Sequence, residues 1–154
     1  MKSLATGEKG QYLRLNCRLL NLNWKIKSLS SSNMKAILVF IDGTTCDMRH
    51  RITLQGADDF FSDENIMKDI PTAGSVECMN ELAENYHLVY MGARPSEYNE
   101  ITAKWYTAKG FADGEVYCGK SQDERMNIVK YLKKKYEFYA GIGDRWMIMN
   151  STLN

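Results

Sequence analysis

Apolar and polar positions in residues 34–144 follow a repeating order of strands and helices. Short continuous apolar runs, typical of buried parallel strands, alternate with segments that have helical spacing. The predicted strands lie at residues 36–41, 87–91, 115–118 and 138–142. The predicted helices lie at residues 71–85, 96–109 and 121–136. This order predicts an α/β protein, a Rossmann-like parallel sheet with right-handed crossovers and flanking helices.

The carboxyl end of each predicted strand carries residues suited to binding charged ligands. In a parallel sheet these ends meet at one edge, where α/β proteins place their sites. The strands are followed in turn by Asp42-Gly43-Thr44, Gly92-Ala93-Arg94, Gly119-Lys120 and Gly143-Asp144-Arg145. Carboxylates suit Mg²⁺, whereas a lysine and open backbone amides suit phosphate. Each residue taken singly is more commonly a cap, a turn or a solvated charge, but their ordered recurrence predicts a site.

The composition excludes several classes of protein. Lys plus Arg number 20 and Asp plus Glu number 19, and this net charge of +1 excludes nucleic-acid binding driven by bulk charge. No apolar run approaches the ~20 residues of a membrane span. The four cysteines include no C-x-x-C pair, and a chain of this size needs no disulfide framework, so we expect a cytoplasmic protein. A one-core enzyme or binding domain remains, with neither a nucleic acid nor a membrane as partner.

Residues 1–33 differ from the rest of the chain. Six basic residues against one acidic residue give this segment a charge of +5, and it ends in a Ser-rich stretch typical of a linker. Its composition suits a transit peptide, but its alternating apolar residues favour strands over a targeting helix. An alternative is a non-native or upstream extension, because Met34 directly precedes a strong strand. We expect residues 1–33 to lie outside the core and residues 34–154 to form the domain.

Four short motifs occur in an order known from one superfamily. Phe-Ile-Asp-Gly-Thr, Gly-Ala-Arg-Pro, Gly-Lys-Ser and Gly-Ile-Gly-Asp-Arg-Trp resemble the motifs of the haloacid-dehalogenase-like (HAD) phosphatases. The resemblance implies a Mg²⁺-dependent phosphomonoesterase that acts on a small phosphorylated molecule through an aspartyl-phosphate. It implies these roles: Asp42 as general acid/base and metal ligand, Asp144 as the other metal ligand, Gly92 and Lys120 as phosphate contacts, and Thr44 and Arg94 as further site residues.

The chain departs from the superfamily pattern where the reaction takes place. The first motif resembles Asp-x-Asp-Gly-Thr, but its first aspartate, the nucleophile, is absent. Without a gap Phe40 stands in its place. The sequence favours a one-residue deletion between Phe40 and Ile41, because the superfamily's strand commonly ends in Phe. The hydroxyl residue of the second motif is missing too, since Met91 is followed directly by Gly92. We therefore expect a degenerate active site with negligible turnover.

The segment after the first motif is where the superfamily inserts its caps, and here it is short. We interpret Arg49, His50 and Arg51 as a solvated loop, with substrate contact as the alternative. Residues 60–63 should pack a short insertion onto the sheet. Because substrate choice depends on the cap in this superfamily, the sequence does not identify the substrate.

The tail is also unusual. The superfamily would continue after Trp146 with a sequence such as Asp-Asp-Asn-Glu-Leu. One codon set for that continuation with a following Asn, read with its first base removed, encodes Met-Ile-Met-Asn-Ser-Thr, which is the sequence of residues 147–152. We therefore expect a frameshifted tail, no fifth strand, and self-association through an exposed sheet edge.

Three function classes stay open. The first is a HAD-type phosphohydrolase, inactive or nearly so in this chain. The second is a non-catalytic HAD-like domain that binds Mg²⁺ or a phosphate ligand. The third is a frameshifted gene product with no function of its own.

Overall fold

A computed structural model describes residues 34–144 of the chain. The predictions for residues 1–33 and for the tail after Trp146 lie outside these described residues. The same is true of the expected absence of a fifth strand. The predicted separation of a core domain from residues 1–33 therefore stays a prediction.

Within residues 34–144, four parallel strands form the main sheet, and all four were predicted. They are β1 (Met34–Phe40), β4 (His87–Gly92), β5 (Gly114–Cys118) and β6 (Tyr136–Ile142). Their order is β5-β4-β1-β6, so β1 lies between β4 and β6. Since all pairs are parallel, every carboxyl end faces the same edge. The Rossmann-like α/β class is confirmed.

Side chains of β1 alternate between two cores. Ile37, Val39 and Ile41 pack into the larger core, with helix residues such as Trp105 and Leu82. Ala36, Leu38 and Phe40 pack into the smaller core on the other face. Burial on both faces explains the continuous apolar run, which is what a central parallel strand requires.

Four α-helices flank the sheet or belong to the segment after β1. They are α1 (Asp63–Lys68), α2 (Ser75–Ala83), α3 (Asn99–Ala108) and α4 (Gln122–Leu132). The prediction that a helix begins near Pro71 is wrong. Pro71 instead pairs with Cys46 in a two-residue strand, and Gly74, at φ 77°, directly precedes α2.

An insertion spanning residues 46–71 follows β1. It contains a small antiparallel pair, β2 (Cys46–Asp47) and β3 (Ile70–Pro71), which brings both ends of the insertion together. Two 3₁₀ helices, Arg49–Leu54 and Asp58–Phe61, and α1 lie between them. The sequence predicted a short insertion here but not its elements. No helix of the described chain is long and apolar enough to cross a membrane.

Candidate functional site

The strand order brings the predicted site residues to one edge of the sheet. Asp42 follows the central strand β1, with the Gly92–Arg94 loop of β4 on one side and Asp144, after β6, on the other. Lys120 follows β5, beyond β4, and is exposed. The predicted adjacency of the first and fourth strands is confirmed, so Asp42 and Asp144 follow neighbouring strands.

The turn after β1 is tight and needs a glycine. The carbonyl of Ile41 accepts the backbone N–H groups of Thr44, Thr45 and Cys46 at 3.0–3.1 Å. Gly43 has φ 82°, and a Cβ on it would lie 2.8 Å from Oδ2 of Asp144. The Asp144 carboxylate therefore packs directly on the turn, against the glycine that follows Asp42.

The Asp42 carboxylate is bound by Arg94. Its Oδ1 accepts hydrogen bonds from Nη2 and Nε of Arg94 at 2.7 and 3.0 Å, and its Oδ2 accepts one from the Ala93 N–H at 3.2 Å. The Arg94 side chain is fully buried, whereas that of Asp42 is 11% exposed. Burial alone would lower the pKa of Arg94. The charge of Asp42 and its hydrogen bonds to Arg94 outweigh this effect, so the pKa of Arg94 lies above its ordinary value. Arg94 therefore stays charged and holds Asp42 as its counter-ion.

A second buried carboxylate, Asp69, lies on the other side of Arg94. Nη2 of Arg94 donates to Oδ2 of Asp69 at 3.2 Å, and Arg51 donates to both oxygens of Asp69 at 2.7 and 2.8 Å. Nε2 of His50 lies 2.8 Å from Oδ1 of Asp69. Burial alone would raise the pKa of Asp69, but hydrogen bonds from Arg51, Cys46 and His50 and the charge of Arg51 hold it below its usual range.

Two further side chains line this charged network. The Cys46 thiol donates to Asp69 at 3.1 Å and accepts from Arg94 at 3.2 Å, while Thr102 accepts from Arg94 at 3.3 Å. Burial raises the pKa of Cys46, so the thiol stays protonated. Among the described residues, Thr44 Oγ1 is a buried hydroxyl oxygen with no hydrogen-bond partner.

Sequence reasoning missed most of this network. The interpretation of Arg51 as part of a solvated loop is wrong, because its side chain is fully buried against Asp69. His50 is partly exposed but bound to the same carboxylate. Asp69, Cys46 and Thr102 were not singled out, since no motif marks them.

Phe40 lies where β1 reaches the site. Its neighbours across the sheet are Met91 on β4 and Gly143 after β6, and a Cβ on Gly143 would lie 2.8 Å from the Phe40 ring. The alternation of β1 continues without interruption through Phe40 and Ile41. Phe40 is the residue two positions before Asp42, whichever of the two alignments with the motif is used.

Gly92 lies at the corresponding place on β4. It still pairs with Cys118, and a Cβ on it would lie 3.1 Å from Cys118 Sγ and 3.3 Å from Ile41 Cδ1. A hydroxyl-bearing side chain at this position would therefore need its neighbours to move. The structure brings Gly92 to the edge but offers no side chain there to contact a phosphate.

The donor set does not fit a resident Mg²⁺ held by both aspartates. Within residues 34–144 no group of three or more His, Cys, Asp or Glu side chains could hold a metal ion. Both oxygens of Asp42 already accept hydrogen bonds from Arg94 and Ala93. Asp144 is the predicted ligand that remains available, so we derive no step through Mg²⁺.

Comparisons with known proteins agree with the fold. No family model matches the chain. A Bacillus cereus protein named as a putative nucleotidase is 32% identical over 71 residues, which is 44% of this chain and 38% of that protein. The matched region is therefore well under half of the relative.

Solved structures extend the likeness to more of the chain. The class C acid phosphatase from Bacillus anthracis, solved with tungstate bound, has a TM-score of 0.71 at 13% identity and covers 94% of this chain and 66% of that one. A chain of the Pnkp1/Rnl/Hen1 RNA repair complex has a TM-score of 0.56 at 18% identity, over 79% of this chain and 39% of that one. The chain therefore shares the α/β fold of this acid phosphatase, a parallel sheet flanked by helices.

Proposed function

We propose that this chain is a HAD-type phosphohydrolase domain that binds a small phosphorylated molecule at the carboxyl edge but turns it over slowly or not at all. The observation that carries the proposal is Phe40, which stands two residues before Asp42 with its ring against Gly143. A carboxylate at that position would be the phosphoryl acceptor in the superfamily. An aromatic ring cannot form the covalent phosphoryl intermediate.

Binding is supported by what remains at the edge. Lys120 is exposed after β5, and its backbone is fixed by α4, because the carboxylate of Glu124 accepts the Lys120 N–H at 2.7 Å. A lysine held at a strand end suits a phosphate. The first phosphorylated molecule to test is a nucleoside monophosphate, because the Bacillus cereus relative is named a nucleotidase.

The remaining residues of the site can position a bound phosphate, but they supply no phosphoryl acceptor. The guanidinium of Arg94 neutralises Asp42, so this carboxylate does not repel an incoming phosphate as a free one would. Asp144 remains as an exposed carboxylate beside Gly43. Mg²⁺ held by both aspartates is not part of the proposal, and a cytoplasmic location stays a prediction.

Titration with inorganic phosphate tests binding, with a matched pair of lysines. Lys120→Met should weaken phosphate binding by about tenfold, the loss of one charge-assisted contact. Lys130→Met, an exposed lysine on α4, should bind as the parent does. Isothermal calorimetry on the full chain measures both. Absence of phosphate binding by the parent, or equal loss in both variants, would contradict the proposal.

A further inference from the structure

We propose that Asp69 is the positioning residue of the candidate site, setting the place of the Asp42 carboxylate through Arg94. Asp69 belongs to none of the four motifs and lies on the insertion, directly before β3. Any effect of Asp69 on ligand binding rests on the proposed binding site at the carboxyl edge. The structural coupling of Asp69 to Asp42 does not depend on that proposal.

The Asp69 carboxylate is an unusually well-anchored buried charge. Its side chain is fully buried and receives hydrogen bonds from four residues: Arg51 through two nitrogens, and His50, Arg94 and Cys46 through one atom each. A buried carboxylate with this many donors has one stable orientation, because any rotation leaves a buried donor unpaired.

The backbone of Asp69 is held as firmly as its side chain. Its N–H donates to the carbonyl of Ile66 at the end of α1, at 3.1 Å. Its carbonyl accepts the indole N–H of Trp105, on α3, at 2.9 Å. The carboxylate is therefore fixed relative to the core, and it can act as a reference point for the groups bound to it.

Arg94 transmits this position to Asp42. A single nitrogen, Nη2, donates to Asp42 at 2.7 Å and to Asp69 at 3.2 Å. Because the Arg94 side chain has no exposed surface, water cannot replace either carboxylate without a change in structure. Loss of Asp69 would leave Arg94 with Asp42 as its only carboxylate partner and with the weaker acceptors Cys46 and Thr102.

The carboxylates and guanidinium groups of this network are equal in number, so a variant that tests Asp69 must remove one charge of each sign. Two carboxylates, Asp42 and Asp69, face two guanidinium groups, Arg51 and Arg94. Asp69→Asn alone would leave one buried positive charge uncompensated, a strongly destabilising change. The double variant D69N/R51Q removes one charge of each sign and keeps the network neutral.

The matched control is a second aspartate–arginine pair on the same insertion. Asp47 and Arg49 are joined by several hydrogen bonds, but Arg49 is exposed and neither residue contacts Arg94. The double variant D47N/R49Q makes the same chemical change outside the network. Any effect of D69N/R51Q that the control lacks therefore belongs to Asp69 and Arg51.

The measurement is hydrogen exchange at Nε of Arg94 in the full chain, followed by ¹H–¹⁵N spectra and assigned by its loss in Arg94→Lys. Nε donates to Asp42 only, so its exchange reports the Arg94–Asp42 bond rather than the fold. We expect exchange at least about tenfold faster in D69N/R51Q than in the parent, because local opening no longer breaks a second anchor. D47N/R49Q should match the parent.

An unchanged Arg94 exchange rate in folded D69N/R51Q would overturn the inference. Should that variant not fold, Trp105→Phe removes only the indole donor to the Asp69 carbonyl and keeps an aromatic ring in the core. Faster Arg94 exchange in Trp105→Phe supports the inference, and unchanged exchange overturns it. The proposed function is tested separately, since phosphate binding by the parent does not enter this comparison.

Discussion

The carboxyl edge of the sheet is distinguished by charged side chains that are buried, rather than by apolar side chains. Arg51 and Arg94 are both fully buried, and each donates to at least one carboxylate. A buried guanidinium without a carboxylate would cost several kcal/mol, so both carboxylates are required for the fold as well as for the site. The exposed pair of Asp47 and Arg49 lies on the same segment and has no such role.

Two arginines of the insertion, two residues apart, should therefore respond very differently to the same substitution. Arg51→Met removes both Arg51 hydrogen bonds to the buried Asp69 and should lower the free energy of unfolding by about 3–5 kcal/mol. Arg49→Met should unfold at the same urea concentration as the parent, because surface pairs contribute little. Urea titrations followed by circular dichroism compare them. Equal midpoints for the two variants would show that Asp69 does not depend on Arg51.

Part of the candidate site could be predicted from single residues and part could not. Asp42, Arg94, Lys120 and Asp144 were predicted as site residues because each lies within three residues after a predicted strand, in a motif of the superfamily. Asp69 could not be found this way, since it lies 25 positions before Arg94 and meets it only in the folded chain. Contacts between residues so far apart in sequence depend on how the insertion packs. The spacing of apolar residues carries no information about that packing.

At the scale of elements, α4 both covers a core and fixes the Lys120 loop. Ser121 and Glu124 form a capping box in which the Ser121 hydroxyl accepts the Glu124 N–H and the Glu124 side chain returns to the cap backbone. The same Glu124 carboxylate accepts the N–H of Lys120. The start of α4 therefore also sets the loop that carries the proposed phosphate contact.

Removal of this cap has a defined cost. Ser121→Ala should lower the free energy of unfolding by about 1 kcal/mol, because it leaves helix N–H groups without an acceptor. Ser96→Ala changes an exposed serine of a 3₁₀ helix that has no side-chain cap, and it should alter stability by less than about 0.5 kcal/mol. Urea denaturation of both measures the difference. A Ser121 effect no larger than that of Ser96 would mean that the capping box does not hold α4.

The opposite end of the sheet has its own polar cluster, around Glu115 on β5. Glu115 accepts hydrogen bonds from Tyr117 and Tyr136, each at 2.8 Å, and from Lys135. His87 stacks on Tyr136, with ring centroids 4.8 Å apart. Burial alone would raise the pKa of Glu115, but these hydrogen bonds lower it to about 2. The cluster joins β4, β5 and the start of β6.

This cluster predicts how stability changes in acid. The pKa of Glu115 is about 2 in the folded chain against 4.5 as its ordinary value, so the stabilisation is full above about pH 4.5 and is lost as the pH falls toward 2. Glu115→Gln should therefore reduce the acid-dependent loss of unfolding free energy by about 1–2 kcal/mol, allowing for partial solvent exposure. Urea titrations between pH 2 and 5 check this. Glu137→Gln, at an exposed position on β6, is the control, and equal pH profiles for E115Q and the parent would contradict the assignment.

A strand or helix could be predicted where a single pattern of apolar residues determines it. The two central strands, β1 and β4, were found because burial on both faces demands continuous apolar residues. The insertion was not, because its strands have two residues each and are held by pairing with each other. The start of α2 was misplaced since Pro71 is as compatible with a short strand as with a first helical turn.

At the scale of the molecule, residues 34–144 have an α/β fold like that of the class C acid phosphatase, with charged residues at the carboxyl edge of the sheet. The strand order places Asp42, Arg94 and Asp144 together, and both cores are closed around β1. Phe40 lies two positions before Asp42, and we propose that it stands where the superfamily has its phosphoryl acceptor. In the described chain β5 and β6 form the two edges of the sheet, and self-association through an edge stays a prediction.

The central claim is that the fold is intact but the phosphoryl acceptor is missing, and the steady-state rate of phosphate release tests it most directly. The full chain is incubated with p-nitrophenyl phosphate, with and without Mg²⁺, beside F40D and its control F40A. We predict turnover far below ~1 s⁻¹, an ordinary enzyme rate, for the parent and F40A, and a measurable gain for F40D over F40A. Turnover near ~1 s⁻¹ by the unmodified chain would contradict the account, since another residue would then be the acceptor.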